Sequence, residues 1–157
     1  MRIRLGRHSD LPYLLELEAA SFEVERRESP TTLRRSLTSP HQEVWLAIEN
    51  GKALGAIFLR FHKHTARIHS IAVNLCARGT GVGSRLLESA VQRAVHRGCE
   101  RIHLEADSRN LPFVEWYRRH GFRPVRKLED YYAPGWGALR MSRKLTEAKR
   151  RLPKSVK

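Results

Sequence analysis

The stretch Asn74–Gly98 joins closely spaced glycines to an amphipathic helical pattern. Glycine stands at every second position from Gly79 to Gly83, and Arg78 and Arg85 add positive charge around them. Glycine lets a phosphate approach the main chain because no Cβ stands in the way, and the N–H groups of a helix start favour an anion. The spacing is neither that of a Walker A loop nor that of the dinucleotide fingerprint. The stretch therefore fits a pyrophosphate site, or a tight turn that only requires glycine.

The elements around this loop must position it. A strand is predicted at Ala66–Val73, and the helix after the loop has its apolar residues on one face and ends at Gly98. The other predicted elements are a strand at Met1–Leu5, a helix capped by Ser9 and running toward Phe22, a helix from Pro30 to about Leu37, strands at Glu43–Asn50 and Ala53–Phe61 joined by an Asn50-Gly51 turn, a strand at Arg101–Ala106, a helix from Asn110 to Gly121, and strands near Phe122–Leu128 and Ala138–Leu145. The order β-α-α-β-β-β-α-β-α-β-β predicts an α/β domain with a mixed sheet, antiparallel early and with at least one right-handed βαβ unit later.

Length and composition are those of an ordinary globular domain. The chain has 157 residues, of which 41% are hydrophobic and 29% charged, enough for one domain with a single core. The absence of a long apolar run or a secretory signal predicts a cytoplasmic protein without a membrane span. Cys76 and Cys99 predict neither a disulfide framework nor a metal site. Exposed histidines at a sheet edge explain His62, His64 and His69 better than metal ligands do, so we expect no metal.

The net charge of +14 implies an anionic partner. Nucleic acid, a nucleotide cofactor, a ribosomal neighbourhood and anionic lipid are the candidates. Residues 146–157 form a basic tail, TEAKRRLPKSVK, which we expect to be solvated and disordered. A tether to RNA is the alternative role of this tail, and weak association with RNA or the ribosome through basic surface is a further expectation.

Several segments together carry a family resemblance. The loop Arg78–Gly83 fits the pattern [QR]-x-x-G-x-[GA], and Ile71-Ala72-Val73 stands before it. Asn110 begins a later helix, and Tyr117 is followed by the run His120-Gly121-Phe122. These features resemble the GNAT superfamily of N-acetyltransferases over residues 1–145. The resemblance implies a GNAT-like α/β domain there, with a mixed, mostly antiparallel sheet of about seven strands flanked by about four helices.

The resemblance implies acetyl-CoA as co-substrate and an amine as acceptor. In such folds the pantetheine arm lies where the strand before the motif splays from its neighbour, and the Val73 N–H would polarise the thioester carbonyl. Asn110 would contact the pantetheine, and backbone N–H groups of the loop would hold the pyrophosphate. The implied cofactor-binding residues are Ile71, Ala72, Val73, Arg78, Gly79, Thr80, Gly81, Val82, Gly83, Ser84 and Asn110.

Two further residues are candidates for the chemistry of the transfer. Glu105 ends the strand after the glycine helix and shares a face with His103 and Asp107, so it is a candidate base for the amine. Tyr117, in the next helix, is a candidate acid that protonates the CoA thiolate. A carboxylate paired with an arginine and an aromatic packed in the core are the alternatives for these residues. Direct attack in a ternary complex requires no covalent enzyme intermediate.

A narrower resemblance concerns the acceptor. The segments LEADSRN, WYRRHGF and DYY resemble the bacterial ribosomal-protein N-terminal-alanine acetyltransferases, which implies a protein or peptide α-amine as acceptor. The segments FEVERRES and APGWGA depart from that pattern. Two alternatives remain: the acceptor is a small-molecule amine, or the protein is a module that binds acyl-CoA or RNA without catalysis. The protein is expected to be a monomer or a homodimer. The glutamates Glu23, Glu25 and Glu28 fit a solvated face better than an acidic wall for the amine.

Overall fold

A computed structural model of the chain describes residues 1–145, and the predicted disordered tail, residues 146–157, lies outside the described residues. The elements are β1 Arg2–Leu5, α1 Leu11–Ser21, α2 Pro30–Thr38, β2 Gln42–Glu49, β3 Lys52–Phe61, β4 Thr65–Val73, α3 Val82–His96, β5 Arg101–Asp107, α4 Leu111–Arg119, β6 Arg123–Ala133 and β7 Trp136–Lys144. This order of elements confirms the one predicted from the sequence.

The strands form one sheet in the order β1-β2-β3-β4-β5-β7-β6. The pairs β1–β2, β2–β3, β5–β7 and β6–β7 are antiparallel, so the predicted mixed, mostly antiparallel α/β fold is confirmed. The described chain divides into two compact units. Unit 1 holds residues 1–60 and 68–90, and unit 2 holds residues 61–67 and 91–145.

Unit 1 buries its two N-terminal helices against the early strands. Its core includes Leu14 of α1, Leu33 of α2 and Leu46 of β2, each at most 1% exposed. Ser29 caps α2 as its sequence indicates, because its Oγ accepts a hydrogen bond from the Thr32 N–H at 3.1 Å. These apolar contacts fix α1 and α2 on the sheet.

The predicted Ser9 cap of α1 is wrong. Ser9 lies within a short 3-10 turn, and Asp10 occupies the position before the helix. The Asp10 carboxylate accepts from the Arg7 N–H at 2.7 Å and pairs with the Arg4 guanidinium at 2.9 Å. A carboxylate with a cationic partner is a stronger acceptor than a hydroxyl. The Asp10 carboxylate therefore closes the 3-10 turn, and α1 begins one residue later than predicted.

The β2–β3 hairpin contains an irregularity that matters for the site. Asn50 and Gly51 both have positive φ, 50° and 73°, as the predicted two-residue turn requires. The register then shifts between Ala47 and Ile48. A shift of this kind leaves a strand residue outside the regular ladder. It occurs opposite Leu54, whose carbonyl accepts instead from the Asn74 N–H at 2.8 Å.

Unit 2 is built on the three strands β5, β7 and β6. The apolar residues of β5, Ile102, Leu104 and Ala106, are at most 3% exposed, and they share one face of the strand. The alternate residues of β5, among them His103 and Glu105, point to the other face, which is only partly covered. This second face carries the candidate base.

Strand β6 is longer than predicted, running to Ala133 where the sequence predicted an end near Leu128. Its register with β7 shifts between these two residues. Asp130 has a positive φ of 53°, and its carboxylate accepts from the Gly135 N–H at 2.6 Å. This contact stabilises an irregular segment of β6, residues 129–132, which the local sequence pattern did not predict.

Candidate active site

The glycine loop of unit 1 has a backbone that requires glycine. Gly79 and Gly81 have φ angles of 78° and 90°, which residues with a Cβ rarely adopt. A Cβ built on either would meet no atom within 4 Å. The loop leads into α3 at Val82, so Gly83 and Ser84 lie in the first helical turn, whose N–H groups lack intrahelical partners. This open backbone, rich in donors, fits a diphosphate.

Side chains of the loop hold it in shape. The Arg78 Nε donates to the Val73 carbonyl at 3.1 Å, and the Thr80 hydroxyl donates to the Ala77 carbonyl in a short hydrogen bond. Arg78 is nonetheless exposed, and its guanidinium carries further N–H groups. It can therefore brace the end of β4 and also face an anion.

Asn74, directly after β4, ties this end of the strand to two other elements. Its Oδ1 accepts from the Tyr13 hydroxyl at 2.7 Å, and its Nδ2 donates to the Ala53 carbonyl at 3.0 Å. Burial, and the proximity of Cys76, raise the pKa of Tyr13 to about 12, so the tyrosine remains a hydrogen-bond donor at neutral pH. These bonds fix the residues that precede the glycine loop.

Gly55 is a site residue that sequence reasoning missed. A Cβ at this position of β3 would lie 2.8 Å from the Ala72 carbonyl oxygen and 3.2 Å from the Val73 Cα. The end of β4 can lie this close to β3 only because position 55 has no side chain. An isolated glycine inside a strand pattern is the signal that could have revealed it.

Glu105 in unit 2 lies between two arginines. Its Oε2 accepts from the Arg67 Nε at 2.9 Å, and its Oε1 accepts from Arg140, from Nη2 at 3.1 Å and from Nε at 3.2 Å. The Glu105 side chain is 5% exposed. A carboxylate offers about four acceptor positions, so these bonds leave Oε2 with room for another donor. Sequence reasoning did not identify the two arginines, because strand register decides which ones reach the carboxylate.

The irregular segment of β6, residues 129–132, brings two tyrosines to Arg67 and Glu105. The Tyr131 hydroxyl accepts from the Arg67 Nη2 at 3.1 Å, and the Tyr132 hydroxyl donates to the Glu105 carbonyl at 3.4 Å. Arg67 thus links Glu105 to Tyr131. Although burial opposes its charge, the hydrogen bond and attraction to Glu105 raise the pKa of Arg67, so this link stays cationic.

His103 lies two residues before Glu105 on the same face of β5. Burial lowers the pKa of His103, and repulsion from Arg67, Arg140 and His62 adds to the effect, while Glu105 opposes it. The imidazole is therefore largely uncharged at neutral pH. A neutral ring of this kind can accept a proton.

Tyr117 and Asn110 belong to α4. Tyr117 is 3% exposed, and its ring packs edge-on against Phe113 at 4.8 Å and Phe122 at 5.7 Å. Asn110 caps the helix, its Oδ1 accepting from the Phe113 N–H at 3.2 Å. The cap leaves the Asn110 amide nitrogen as the group that could contact a ligand.

Glu105 and Tyr117 belong to consecutive elements of unit 2, β5 and α4. Glu105 is held by two arginines, whereas the Tyr117 ring lies among the rings of Phe113, Trp116 and Phe122. The two candidate residues therefore have different surroundings, one ionic and one aromatic.

Other sequence candidates have different surroundings. His62 and His64 are exposed as expected, but His69 is not at a sheet edge, because β4 lies between β3 and β5. The His69 Nε2 instead lies 2.6 Å from Glu28 Oε1. Among residues 1–145, no group of three or more His, Cys, Asp or Glu could hold a metal ion. Within the same residues, no helix is long and apolar enough to cross a membrane.

The acidic segment between α1 and α2 is partly buried. Glu23 and Glu25 are exposed, as a solvated face predicts. Glu28 differs, because its side chain pairs with His69 and its N–H donates to the Glu18 carboxylate at 2.8 Å. Burial raises the pKa of Glu18. These contacts make part of the segment structural.

Comparison with known proteins defines the class. The structure superposes with a TM-score of 0.86 on the ribosomal-protein-S18-alanine N-acetyltransferase from Escherichia coli, at 21% identity and over 98% of this chain and 99% of the other. A GNAT family acetyltransferase from Elizabethkingia anophelis with acetyl-CoA bound matches with a TM-score of 0.77, at 18% identity and over 92% and 97% of the two chains. These matches define a GNAT fold.

Sequence comparison assigns the family. Residues 11–122 match the model of the acetyltransferase (GNAT) family. The chain is 34% identical over 152 residues to the N-alpha-acetyltransferase MAK3 of Arabidopsis thaliana, covering 94% of this chain and 77% of that protein. The chain belongs to the acetyltransferase (GNAT) family. It is an acetyl-CoA-dependent N-acetyltransferase.

Proposed function

We propose that this enzyme acetylates the N-terminal α-amine of a protein or peptide, by direct attack of the amine on acetyl-CoA in a ternary complex. The observation that carries the acceptor class is the similarity, over 94% of the chain, to an N-alpha-acetyltransferase. Bound acetyl-CoA supplies a thioester that an uncharged amine can attack. The enzyme must then hold the amine, remove its proton and stabilise the developing oxyanion.

On the cofactor side, the glycine loop, the end of β4 and Asn110 supply the groups. The open backbone from Gly79 to Ser84 binds the pyrophosphate, with Arg78 adding charge. The end of β4, Ile71 to Val73, carries the thioester, and the Val73 N–H donates to its carbonyl. Asn110 contributes its amide nitrogen to the pantetheine. The domain responsible spans residues 1–145.

Glu105 is the proposed base on the acceptor side. The remaining acceptor position on its Oε2 can take an N–H of the incoming amine, or a water that relays the proton. Arg67 and Arg140 fix the carboxylate so that this position points in one direction. Because an α-amine has a pKa of about 8, little free energy is needed to remove its proton at neutral pH.

Tyr117 is the proposed acid that protonates the leaving thiolate. Its position on α4, the helix that follows β5, supports a role beside Glu105 in the same site. The amine nitrogen and the thioester sulfur are bonded to one carbon in the tetrahedral intermediate, so the base and the acid act on neighbouring atoms. The competing role is packing alone, since the ring lies among aromatic residues.

The proposal is tested by following CoA release with acetyl-CoA and matched peptides. One peptide has a free α-amine and no lysine, one has a blocked N-terminus and a single lysine, and one has neither amine. We expect turnover on the first, and a fall of about 10²–10⁴ in kcat for Glu105→Gln and for Tyr117→Phe. Glu115→Gln, an exposed carboxylate of α4, is the control. Acetylation of the lysine peptide or of a small amine alone would refute the α-amine acceptor.

A second property is supported by the charge distribution. Unit 2 exposes Arg118 and Arg119 on α4 and Arg123, Arg126 and Lys127 on the edge strand β6. Together with the net charge of +14, this supports a weak association with RNA or the ribosome. We place the enzyme in the cytoplasm, as a monomer or a homodimer, as part of the same proposal. RNA affinity that falls steeply with salt is the expected result. Affinity independent of salt would contradict it.

A further inference from the structure

The partly covered face of the unit 2 sheet carries more positive than negative side chains. In an antiparallel pair, residues directly opposite each other have their side chains on the same face. Register places Glu105 opposite Arg140, and Arg140 opposite Arg126. The neighbouring rows of paired residues place Arg123 opposite Ser142 and Arg101 opposite Lys144, on the same face. This surface, called the cationic sheet face, consists of Arg101, His103 and Glu105 on β5, Arg140, Ser142 and Lys144 on β7, and Arg123 and Arg126 on β6.

Positive charge on this face exceeds what the carboxylate balances. Glu105 is shared by Arg67 and Arg140, and Arg126 is exposed beside Arg140. The nearby carboxylate of Asp107 is already paired with Arg109 at 3.1 Å. A positively charged amine that approaches Glu105 therefore meets a net positive surface.

We infer that the acceptor of this enzyme carries acidic side chains just after its N-terminal amine. The inference rests on the proposed function and specifies the substrate class of that site. Glu105 receives the amine, and the following residues run across β7 toward β6. Neighbouring strands are about 4.8 Å apart, so Arg126 is about 10 Å from Glu105, the length of roughly three extended residues. Acidic residues at positions 2 to 4 of the acceptor would lie over Arg140 and Arg126.

The arginines have the capacity to bind such an acceptor. The Arg140 side chain is 38% exposed and its two bonds to Glu105 use only part of its N–H groups. A guanidinium binds carboxylates in planar, charge-assisted pairs. The same charges disfavour an acceptor with lysine or arginine near its amine. The surface therefore selects for acidic acceptors and against basic ones.

The test uses three peptides that differ only at residues 2 to 4, which are Glu, Gln or Lys, each with the same free α-amine. We expect kcat/KM to fall from the Glu to the Gln to the Lys peptide, by on the order of tenfold between Glu and Gln. The Glu preference should shrink as salt is raised from about 0.05 M to about 0.5 M, because exposed charges are screened.

A charge-reversed variant tests the surface directly. Arg126→Glu should reduce the ratio of kcat/KM for the Glu peptide to kcat/KM for the Gln peptide, and it should raise turnover of the Lys peptide. Arg119→Glu, which makes the same charge change on an exposed residue of α4, is the matched control and should keep the wild-type preference. Equal changes in the two variants would mean that net charge alone acts, and would overturn the inference.

The remaining outcomes separate the two proposals. Equal turnover of the three peptides overturns the acidic acceptor but leaves α-amine acetylation intact. Turnover of no peptide overturns α-amine acetylation, and the acidic acceptor with it. Binding of a single-stranded RNA oligonucleotide is measured alongside by fluorescence anisotropy. If Arg126→Glu weakens RNA binding and leaves the peptide preference unchanged, the face belongs to RNA and the inference is wrong.

Discussion

At the scale of single residues, the state of Glu105 determines what the site can do. A side chain 5% exposed and bound by two guanidinium groups has little freedom to rotate. Because both oxygens are held, the acceptor position that remains on Oε2 has a defined direction. The proposed base therefore has a fixed orientation, which is one requirement of an efficient proton transfer.

Arg67 is the positioning residue in this arrangement, since it joins Glu105 to Tyr131. We expect Arg67→Gln to lower the free energy of unfolding by about 1–3 kcal/mol, because a mostly buried carboxylate loses a charged partner. It should also lower kcat while leaving the KM for acetyl-CoA unchanged. Arg118→Gln, which breaks an exposed pair with Glu115, should change the unfolding free energy by less than about 1 kcal/mol.

Arg67→Lys distinguishes positioning from charge. An ammonium restores the positive charge beside Glu105, but it is a single point and does not reproduce the guanidinium fork that spans Glu105 and Tyr131. We expect urea denaturation to show most of the lost stability restored, with kcat remaining low. Full recovery of kcat by lysine would mean that charge alone is required at this position.

At the scale of elements, the glycine loop combines a turn with a binding surface. The sequence left these two interpretations open, and the backbone supports them together. Positive φ angles at Gly79 and Gly81 meet the need of the turn, and the open space around them meets the need of a phosphate. Gly135 has the same positive φ and open space, so the feature that points to a phosphate is the position of the loop directly before α3.

Two alanine substitutions separate these contributions. Gly81→Ala and Gly135→Ala both place a Cβ in open space at positive φ, 90° and 76°, so each should cost about 1–2 kcal/mol of stability. Only Gly81→Ala should also weaken acetyl-CoA binding, measured by calorimetry, because its Cβ projects into the proposed pyrophosphate site. Equal acetyl-CoA affinity in both variants would remove the loop from the cofactor site.

The type and order of the elements are predictable because apolar periodicity and turn signals are local. Contacts between strands are not local, and they explain what was missed. Arg140 reaches Glu105 through the register of β5 and β7, which no residue of either strand specifies alone. Gly55 approaches Val73 because two strands lie close together. Asp10, and not Ser9, stands before α1, and its partner Arg4 lies on another element.

At the scale of the whole molecule, the net charge of +14 acts on stability as well as on partners. Like charges repel one another in the compact state more than in the expanded unfolded chain. The repulsion extends further at low ionic strength, where the Debye length grows from about 8 Å at about 0.15 M to about 30 Å at about 0.01 M. Specific ion pairs oppose this effect, because screening weakens them too.

We therefore expect the melting temperature to fall when the full chain is transferred from about 0.15 M to about 0.01 M salt. Calorimetry in a buffer of constant pH measures the change. A variant that neutralises exposed charges, Arg119→Gln with Arg126→Gln and Lys127→Gln, should fall less, because it has less charge to repel. A melting temperature that rises on dilution would mean that pairs such as Arg4–Asp10, at 2.9 Å, outweigh the repulsion. The excess positive charge would then cost the fold little stability. In that case no functional role would be needed to explain why the chain is so basic.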